Sequence, residues 1–278
     1  MEKTSERLDP EILTQNNESF PLLIFHKMSY ELIQDYVKDK VVLDFGCGFG
    51  YGSQILKKYA KKVVGVDLSP DVIKIAREKY GQENLEFLLI DKLEKKGLMF
   101  QDKNFDVVVA FQVLEHMENI DLFFFEMKRI LKDDGVLILT TPNSNLRLLP
   151  FQTPWNHHHI REFNYYELDS ILAKYFDFYK IFGITFTGIP LKNEIGRITK
   201  LKIFLYPFTN IFVPNRLKLN ILQFLWDLFR RKDVLNIIFR NRKKRKPVFN
   251  EKTLSKKVLI TDDPRKKWLS FITFCYKK

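Results

Sequence analysis

The stretch Val41-Val42-Leu43-Asp44-Phe45-Gly46-Cys47-Gly48-Phe49-Gly50 decides the fold, because a run of β-branched and aromatic residues leads directly into closely spaced glycines. Such a run is typical of a buried parallel strand, and the glycines permit a tight turn with close approach of a ligand. A second apolar run begins at Val63 and ends in Asp67. An acid about 20 residues beyond the first glycine can accept hydrogen bonds from a ribose diol. Together these features predict a nucleotide-type binding site.

The spacing of the glycines separates two cofactors that such a site could hold. A dinucleotide-binding loop has a glycine three residues after Gly48, where this chain has Tyr51. The carboxylate of Asp44 would also repel a pyrophosphate, but it suits a ligand that carries a sulfonium and an ammonium group. The predicted cofactor is therefore S-adenosyl-L-methionine.

Three motifs extend this prediction along the chain. Residues 44–50 resemble motif I of the class I S-adenosylmethionine-dependent methyltransferases, and Asp67 resembles their ribose-binding acid. Residues 105–116 and 131–143 are similar to the family's fourth-strand and fifth-strand motifs, although Asp133-Asp134-Gly135 stands where Pro-Gly-Gly is usual. The resemblance covers about residues 1–185 and implies a doubly wound α/β fold with a seven-stranded, mostly parallel sheet.

The cofactor site implied by this resemblance lies at the ends of the first four strands. Asp91 would accept a hydrogen bond from the adenine amino group, with Lys92 and Leu93 beside the ring; the alternative is a solvated acid at a strand end. The predicted cofactor-binding residues are Asp44, Gly46, Cys47, Gly48, Gly50, Asp67, Leu68, Asp91, Lys92, Phe111 and Gln112.

A narrower resemblance concerns three short segments. Glu6-Arg7 with Pro10, the run 50–53, and the run 156–163 together resemble methyltransferases encoded with bacterial surface-polysaccharide synthesis. This resemblance implies a sugar hydroxyl as the methyl acceptor.

Alternating strand and helix patterns organise the first two thirds of the chain, which is typical of βαβ units. The predicted strands lie at 41–45, 62–67, 85–90, 105–111, 135–141, about 177–184 and about 268–276. The predicted helices lie at about 50–60, 70–80, 121–132 and 166–175, and Ser69 is the expected cap of the second. The predicted units are a methyltransferase core at 1–187, a basic, Phe-rich helical insertion at 188–262, and a terminal strand in 263–278 that returns to the core sheet.

Charge is concentrated in the C-terminal third of this chain of 278 residues, whose net charge is +12. Residues 197–278 contain 22 lysines and arginines and 5 acids, a charge of +17; the other 24 basic and 29 acidic residues leave −5 on residues 1–196. Apolar residues at helical spacing in 217–231 precede the basic run 242–246. Three interpretations of the insertion remain open: a helical lid, an interfacial helix on an anionic membrane, and, ranked lowest, a nucleic-acid-binding surface.

Composition indicates an ordinary globular protein, with 45% apolar and 29% charged residues. Cys47 and Cys275 are the only cysteines, so a disulfide framework is not expected. The polar start of the sequence and the lack of an apolar run of about 18 residues predict a cytoplasmic protein, with peripheral contact at the inner face of the membrane if the insertion is interfacial.

Two histidines are candidate catalytic residues. His159 lies in the triplet 157–159 and precedes Ile160-Arg161-Glu162-Phe163, as the corresponding histidine does in the resembled family; it could take the proton from an attacking hydroxyl. His116 is the second candidate, because it follows the fourth strand, where the methyl end of the cofactor is expected. Both histidines, and Glu115, could instead be structural. A metal site is not predicted, because neighbouring histidines cannot easily all face one ion and no acid cluster accompanies them.

The predicted function is transfer of a methyl group from S-adenosylmethionine to a hydroxyl or amine of a small molecule or sugar, with a lipid-linked saccharide as one acceptor. The alternatives are a quinone or lipid methyltransferase, an RNA methyltransferase, and a membrane-associated binding protein without turnover. Nucleic acid is the least expected partner.

Overall fold

A single mixed sheet of eight strands runs through the computed structural model, which describes residues 20–230, 255–263 and 266–277. The strand order is β3-β2-β1-β4-β5-β8-β6-β7. Strands β1 to β5 are parallel to one another, and β8 lies antiparallel between β5 and β6. The strands are β1 Val41–Phe45, β2 Lys62–Asp67, β3 Leu85–Leu89, β4 Phe105–Phe111, β5 Leu131–Pro142, β6 Phe178–Phe186, β7 Val258–Thr261 and β8 Ser270–Tyr276.

Helices accompany the strands along the chain, and a short 3₁₀ turn at Leu114–His116 follows β4. The helices are α1 Phe20–Glu31, α2 Gln34–Val37, α3 Tyr51–Leu56, α4 Pro70–Tyr80, α5 Leu93–Lys96, α6 Ile120–Ile130, α7 Ser144–Arg147, α8 Tyr165–Tyr175, α9 Ile189–Thr209 and α10 Asn215–Arg230.

The core consists of two apolar layers, one on each face of the sheet, because successive side chains of a strand point to opposite faces. In β4, Val107 and Val109 belong to one buried cluster, while Val108 and Ala110 belong to the other. Both faces of this strand are covered, which explains why its sequence is continuously apolar rather than alternating.

The prediction of a doubly wound, mostly parallel sheet is confirmed, but the strand count of seven is wrong. The predicted strand at about 268–276 corresponds to β8, at the expected position beside β5. The additional strand, β7, lies inside the predicted helical insertion and pairs antiparallel with β6, where Ile184 opposes Ile260. Its four residues are too short a run to show a strand period, so this edge strand depends on a pairing distant in sequence.

Asparagines, rather than the predicted serine, form the side-chain caps of the core helices. Ser69 precedes α4, but its side chain makes no capping hydrogen bond. Before α6, the Asn119 side chain accepts from the N–H of Leu122. Before α8, Asn164 and Glu167 form a reciprocal capping box. The backbone N–H of Ser69 donates to the Asp67 carboxylate at 3.0 Å.

The two helices of the insertion pack against the segment that connects β5 to α8. The Lys202 ammonium on α9 donates to the Leu146 carbonyl at 3.0 Å, and the Gln152 amide donates to the Thr209 hydroxyl at 2.9 Å. The Lys218 ammonium on α10 donates to the Thr153 hydroxyl at 3.1 Å. No helix in the described ranges combines the length and apolarity needed to cross a membrane. The basic run 242–246 and the N-terminal segment with Glu6, Arg7 and Pro10 lie outside the described residues.

Candidate active site

The glycine loop after β1 is built on three left-handed residues. Gly46, Gly48 and Gly50 have φ values of 81°, 54° and 81°, a region that costs other residues strain. The N–H groups of Gly46 and Cys47 both donate to the Val66 carbonyl, at 2.8 and 2.9 Å. These bonds hold the loop against the end of β2.

Space opens at only one of these three glycines. A Cβ on Gly46 would lie 2.6 Å from Val113, and one on Gly50 would lie 2.7 Å from the Phe87 ring. A Cβ on Gly48 would meet no heavy atom within 4 Å. The lack of a side chain at Gly46 and Gly50 therefore lets Val113 and Phe87 pack closely against the loop. Gly48 instead borders open space that the sugar of a ligand can approach.

The carboxylate of Asp67, at the end of β2, is fixed beside this space. One oxygen accepts from the N–H of Gly48 at 3.1 Å, and the other accepts from the N–H of Ser69 at 3.0 Å. A carboxylate oxygen has further lone pairs, so both can also accept from a diol. The next side chain, Leu68, is 44% exposed and offers an apolar surface at the same edge. This arrangement fits an adenosine.

Asp44 is fully buried beneath the loop. One oxygen accepts from the Ser53 hydroxyl at 2.6 Å, and the other accepts from the Tyr30 hydroxyl at 3.2 Å. Burial raises the pKa of Asp44 to about 7, although both hydroxyl donors act in the opposite direction. Near neutral pH this carboxyl can therefore gain or lose its charge in response to a cation beside it.

Asp91 and Lys92 follow β3 and are both exposed. The Lys92 ammonium forms an ion pair with Glu118 at 2.9 Å, which links the ends of β3 and β4 across the surface. The contact of Asp91 with an adenine ring stays a prediction.

Phe111 and Gln112 end β4 and connect three parts of the site. The buried Phe111 ring contacts Tyr30 of α1, with ring centroids 4.7 Å apart. Gln112 adopts a left-handed φ of 56°, and its side-chain amide donates to the hydroxyls of Thr140 and Ser270 at 3.1 and 3.2 Å. Gln112 thereby joins β4 to β5 and β8 at their common edge.

The two predicted catalytic histidines are brought together. The rings of His116 and His159 meet edge to face, with centroids 4.9 Å apart. His116 Nδ1 lies 2.9 Å from the His158 carbonyl, and His159 Nδ1 lies 2.7 Å from Glu162. The rings of the other two members of the triplet, His157 and His158, contact each other at a tilt of 39°, with centroids 3.8 Å apart. Only the third histidine of the triplet thus joins the pair.

A buried ion pair holds His159 in position. Arg147 Nε donates to the other oxygen of Glu162 at 2.8 Å. Burial alone would raise the pKa of Glu162, but the charge of Arg147 and the hydrogen bond with His159 outweigh it and lower the pKa to about 2. Burial lowers the pKa of His159, despite the neighbouring carboxylate. An ionised Glu162 therefore accepts a hydrogen bond from the Nδ1–H group of a neutral His159.

Glu115 joins the two histidines, although it is distant from His159 in sequence. Its carboxylate is buried and accepts from the Thr141 hydroxyl at 3.0 Å. Glu115, His116 and His159 can each offer a ligand atom such that all three atoms lie within 4.8 Å of one another. Glu115 lies in the turn after β4 and the triplet lies after α7, so the sequence gives no local sign that they meet.

Sequence reasoning missed the partners that hold the charged groups. Tyr30 and Ser53 hold Asp44, while Arg147 and Glu162 hold His159. Glu162 lies three residues after His159, within the segment 156–163 that carried the narrower resemblance. Tyr30 and Arg147 had no local signal, because their partners are distant in sequence.

Comparison with known proteins covers the part of this site that includes the glycine loop, Asp67 and His116. Residues 43–139 match the family model described as "Methyltransferase domain". A protein of Mycolicibacterium smegmatis named "Probable S-adenosylmethionine-dependent methyltransferase" is 31% identical over 147 residues, 53% of this chain and 55% of that protein. A "Ubiquinone biosynthesis O-methyltransferase" of Pelagibacter ubique is 30% identical over 115 residues, 41% of this chain and 47% of that protein. The chain spans about half the length of the curated relatives it matches.

A solved structure supports the fold over a greater length. An S-adenosylmethionine-dependent methyltransferase of Thermotoga maritima aligns with a TM-score of 0.55 and 14% identity, covering 95% of this chain and 96% of the other. These comparisons confirm the predictions of a Rossmann-like fold, of a methyltransferase domain and of S-adenosylmethionine as its cofactor. The narrower resemblance to surface-polysaccharide enzymes stays a prediction.

Proposed function

We propose that this chain, which carries a methyltransferase domain over residues 43–139, transfers the methyl group of S-adenosylmethionine to a hydroxyl oxygen of a small-molecule or lipid-linked acceptor. The observation that carries the choice of oxygen is the contact between His116, which follows β4 at the carboxyl edge of the sheet, and His159. A hydroxyl is a weak nucleophile and gains from a neighbouring group that takes its proton. The pair is the candidate for that group.

The cofactor would lie along the carboxyl edge of β1 and β2. In this proposal Asp67 accepts from the ribose hydroxyls, the open side of Gly48 admits the sugar, and Leu68 covers one face of the adenine. Asp44 would oppose the positive charge of the cofactor's amino acid and sulfonium end. Its pKa of about 7 means that a cation bound nearby can draw it into the ionised form.

The methyl end of the cofactor would then point toward the segment after β4. The close approach of Gly46 to Val113 supports this, because Val113 immediately precedes the 3₁₀ turn with Glu115 and His116. In the transfer, a carbon–oxygen bond forms in line as the carbon–sulfur bond breaks, and the sulfur leaves as a neutral thioether. Holding the two reactants in line supplies roughly 7 kcal/mol or more of the rate enhancement.

His159 is the first candidate for removing the acceptor's proton. A proton on Nδ1, directed at Glu162, leaves the lone pair of the ring on Nε2, the nitrogen that can accept a proton. General base catalysis of this kind contributes roughly 100-fold or more to the rate. His116 is the second candidate.

Exposed apolar side chains on the insertion favour a lipid-linked acceptor. Several large side chains of α9, of the turn after it and of the first part of α10 face solvent, and Phe212 is 82% exposed. The exposed members are Ile189, Ile203, Phe204, Ile211, Phe212, Leu217, Leu219 and Phe224. Because residues 197–278 also carry a charge of +17, this surface suits an anionic membrane that presents a lipid-linked acceptor.

A quinone or other lipid phenol is the second candidate acceptor. It is supported by the relatives named "Ubiquinone biosynthesis O-methyltransferase" and by the same exposed apolar surface. A sugar hydroxyl on a lipid carrier is supported by the narrower resemblance of residues 156–163. Both acceptors present an oxygen nucleophile at the end of an apolar chain.

A screen with methyl-labelled cofactor tests the proposal. The full chain is incubated with separated lipid and polar fractions of a cell extract, and the labelled product is identified by mass spectrometry and NMR. We expect label on an oxygen and in the lipid fraction, with none when the Asp67→Ala variant is used. Label on nitrogen or carbon, or label that persists in that variant, would count against the proposal.

A further inference from the structure

We propose that Glu115, His116 and His159 bind a divalent transition-metal ion. Binding of the ion is independent of the proposed function; only its part in methyl transfer rests on it. The three side chains come from two segments far apart in sequence, yet their ligand atoms lie within 4.8 Å of one another. Atoms bound to one zinc-sized ion at about 2.1 Å in tetrahedral geometry lie about 3.4 Å apart. Small rotations of the side chains therefore suffice to close the site.

The second nitrogen of each histidine is directed at an acceptor, as expected of metal-ligating histidines. His116 Nδ1 lies 2.9 Å from the His158 carbonyl, which can only accept a hydrogen bond. His159 Nδ1 lies 2.7 Å from Glu162, whose charge is maintained by Arg147. Both rings thus carry their proton on Nδ1 and their lone pair on Nε2, the arrangement that a ligand requires.

Backbone contacts hold the two segments in register. The N–H of Ile160 donates to the Glu115 carbonyl at 2.9 Å, so the residue after His159 is tied to the residue before His116. The Thr141 hydroxyl donates to one oxygen of Glu115. These contacts orient the three side chains before any ion arrives, which reduces the ordering cost of binding.

Charge and ligand type point to a transition metal. Glu115 is completely buried and would bring one negative charge to a bound cation. Two imidazoles with one carboxylate suit zinc, manganese or iron(II), whereas calcium and magnesium prefer oxygen ligands. Three protein ligands leave at least one coordination position open.

The open position gives the ion a role in the proposed reaction. An acceptor hydroxyl bound there would have a lowered pKa and would reach the methyl group as an alkoxide or phenoxide. With the ion bound, Nε2 of His159 serves as a ligand, and the released proton passes to solvent rather than to that ring. The ion and the imidazole base are therefore two distinguishable ways of activating the same oxygen.

Direct titration tests the site without reference to activity. Untagged full chain is treated with EDTA, dialysed, and titrated with Zn²⁺ by calorimetry and with Co²⁺ by visible absorption. We expect one ion per chain, with Co²⁺ bands in the visible that report nitrogen and oxygen ligands at low coordination number. Affinity should fall about 100-fold or more in His116→Ala and in His159→Ala.

His157→Ala is the matched control, because His157 neighbours the site in sequence but lies outside the group of three. This variant should bind as the wild type does. Glu115→Gln provides a third ligand variant, and its melting temperature shows whether lost binding reflects lost folding. If a ligand variant unfolds, the comparison rests on the variants that stay folded.

The outcomes separate this inference from the proposed function. Wild-type binding weaker than a dissociation constant of about 1 mM, or equal binding by His159→Ala, would overturn the metal site. Full-rate methyl transfer by the EDTA-treated chain would overturn the ion's part in the reaction and leave His159 as the base. Ion binding without methyl transfer to any acceptor would uphold the site and count against the proposed function.

Discussion

The backbone N–H of Gly48 donates to the carboxylate of Asp67 at 3.1 Å, so the glycine loop and the acid that follows β2 form one unit. Gly48 is also the loop glycine with open space where a side chain would be. The proposed ribose acceptor is thus held by the loop that leaves room for the ribose.

Replacing Asp67 with alanine should weaken S-adenosylmethionine binding by about 2 kcal/mol or more, because hydrogen bonds to a charged group contribute roughly 1.5 to 3 kcal/mol each. Calorimetry with purified protein measures the change. Glu78→Ala, which removes an exposed acid of α4, is the control and should bind normally. Unchanged affinity in Asp67→Ala would remove Asp67 from the ribose site.

The buried carboxyl of Asp44 should make stability depend on pH. Its pKa is raised to about 7 in the native protein, so the unfolded chain loses this proton first as the pH rises. Between about pH 4 and 7 the native state alone keeps the proton, and the contribution of Asp44 to the free energy of unfolding falls. Above pH 7 that contribution stays at its lowest value.

The Asp44→Asn variant isolates this effect, because the amide is uncharged at every pH. We measure its free energy of unfolding by urea titration from pH 5 to 8.5. Relative to the wild type, this free energy should increase by about 3 kcal/mol between pH 5 and 7 and then stay constant. In the native state, two neighbouring groups do not titrate in this range: burial lowers the pKa of His26 to about 4 and raises that of Tyr30 well above its usual range. A constant difference across the range would contradict the raised pKa.

Removing the His159 side chain should separate chemistry from cofactor binding. In His159→Ala we expect kcat to fall roughly 100-fold or more, with the dissociation constant for S-adenosylmethionine near that of the wild type. Steady-state kinetics on the acceptor found in the screen, with calorimetry for the cofactor, measure both. His157→Ala is the matched control. A normal kcat in His159→Ala would exclude this residue from the reaction, and His116→Ala would be examined next.

The ion pair of Glu162 with Arg147 should matter more for stability than pairs on the surface. Both side chains are largely buried, so Glu162→Gln leaves the Arg147 charge without its counter-charge, at a cost of about 3 kcal/mol in the free energy of unfolding. Glu118→Gln breaks the exposed pair with Lys92 and should cost less than about 1 kcal/mol. Urea unfolding of both variants gives the comparison, and equal losses would contradict the assigned burial of the pair.

The apolar surface of the insertion should bind anionic vesicles. Co-sedimentation should rise with anionic lipid content, fall with salt, and drop when Leu217, Leu219 and Phe224 are changed to serine. Phe125→Ser removes an exposed phenylalanine of α6 and should leave sedimentation unchanged. Changing the basic run 242–246 to glutamine should weaken binding further, since each basic residue near the surface contributes about 1 kcal/mol.

RNA is the competing ligand for this basic region, because its binding is salt-dependent too. A mobility-shift titration of the same variants separates the two partners. Strong RNA binding without vesicle sedimentation would reverse the ranking of the partners. Binding of neither would leave the insertion as a substrate lid.

Prediction from sequence succeeded where the signal was local. The strands from β1 to β6 and the loop at 46–50 follow from short runs whose periodicity and glycines determine their structure. The partners of those elements could not be predicted, because Tyr30 reaches Asp44 and Arg147 reaches Glu162 only through the tertiary fold. The convergence of Glu115 with His159 was missed for the same reason, since a sheet joins residues by strand order rather than by sequence distance.

The position of β8 delays completion of the sheet until the end of β8 has been synthesised. β8 lies between β5 and β6, so the interior of the sheet lacks a strand until residues 270–276 have left the ribosome. With synthesis at about 5–20 residues per second, β5 and β6 would each expose an unpaired edge for roughly 10 seconds. Such edges pair readily with other chains. The nascent protein therefore passes through a period in which chaperones have a specific target, and its yield in a cell should depend on how quickly the insertion is translated.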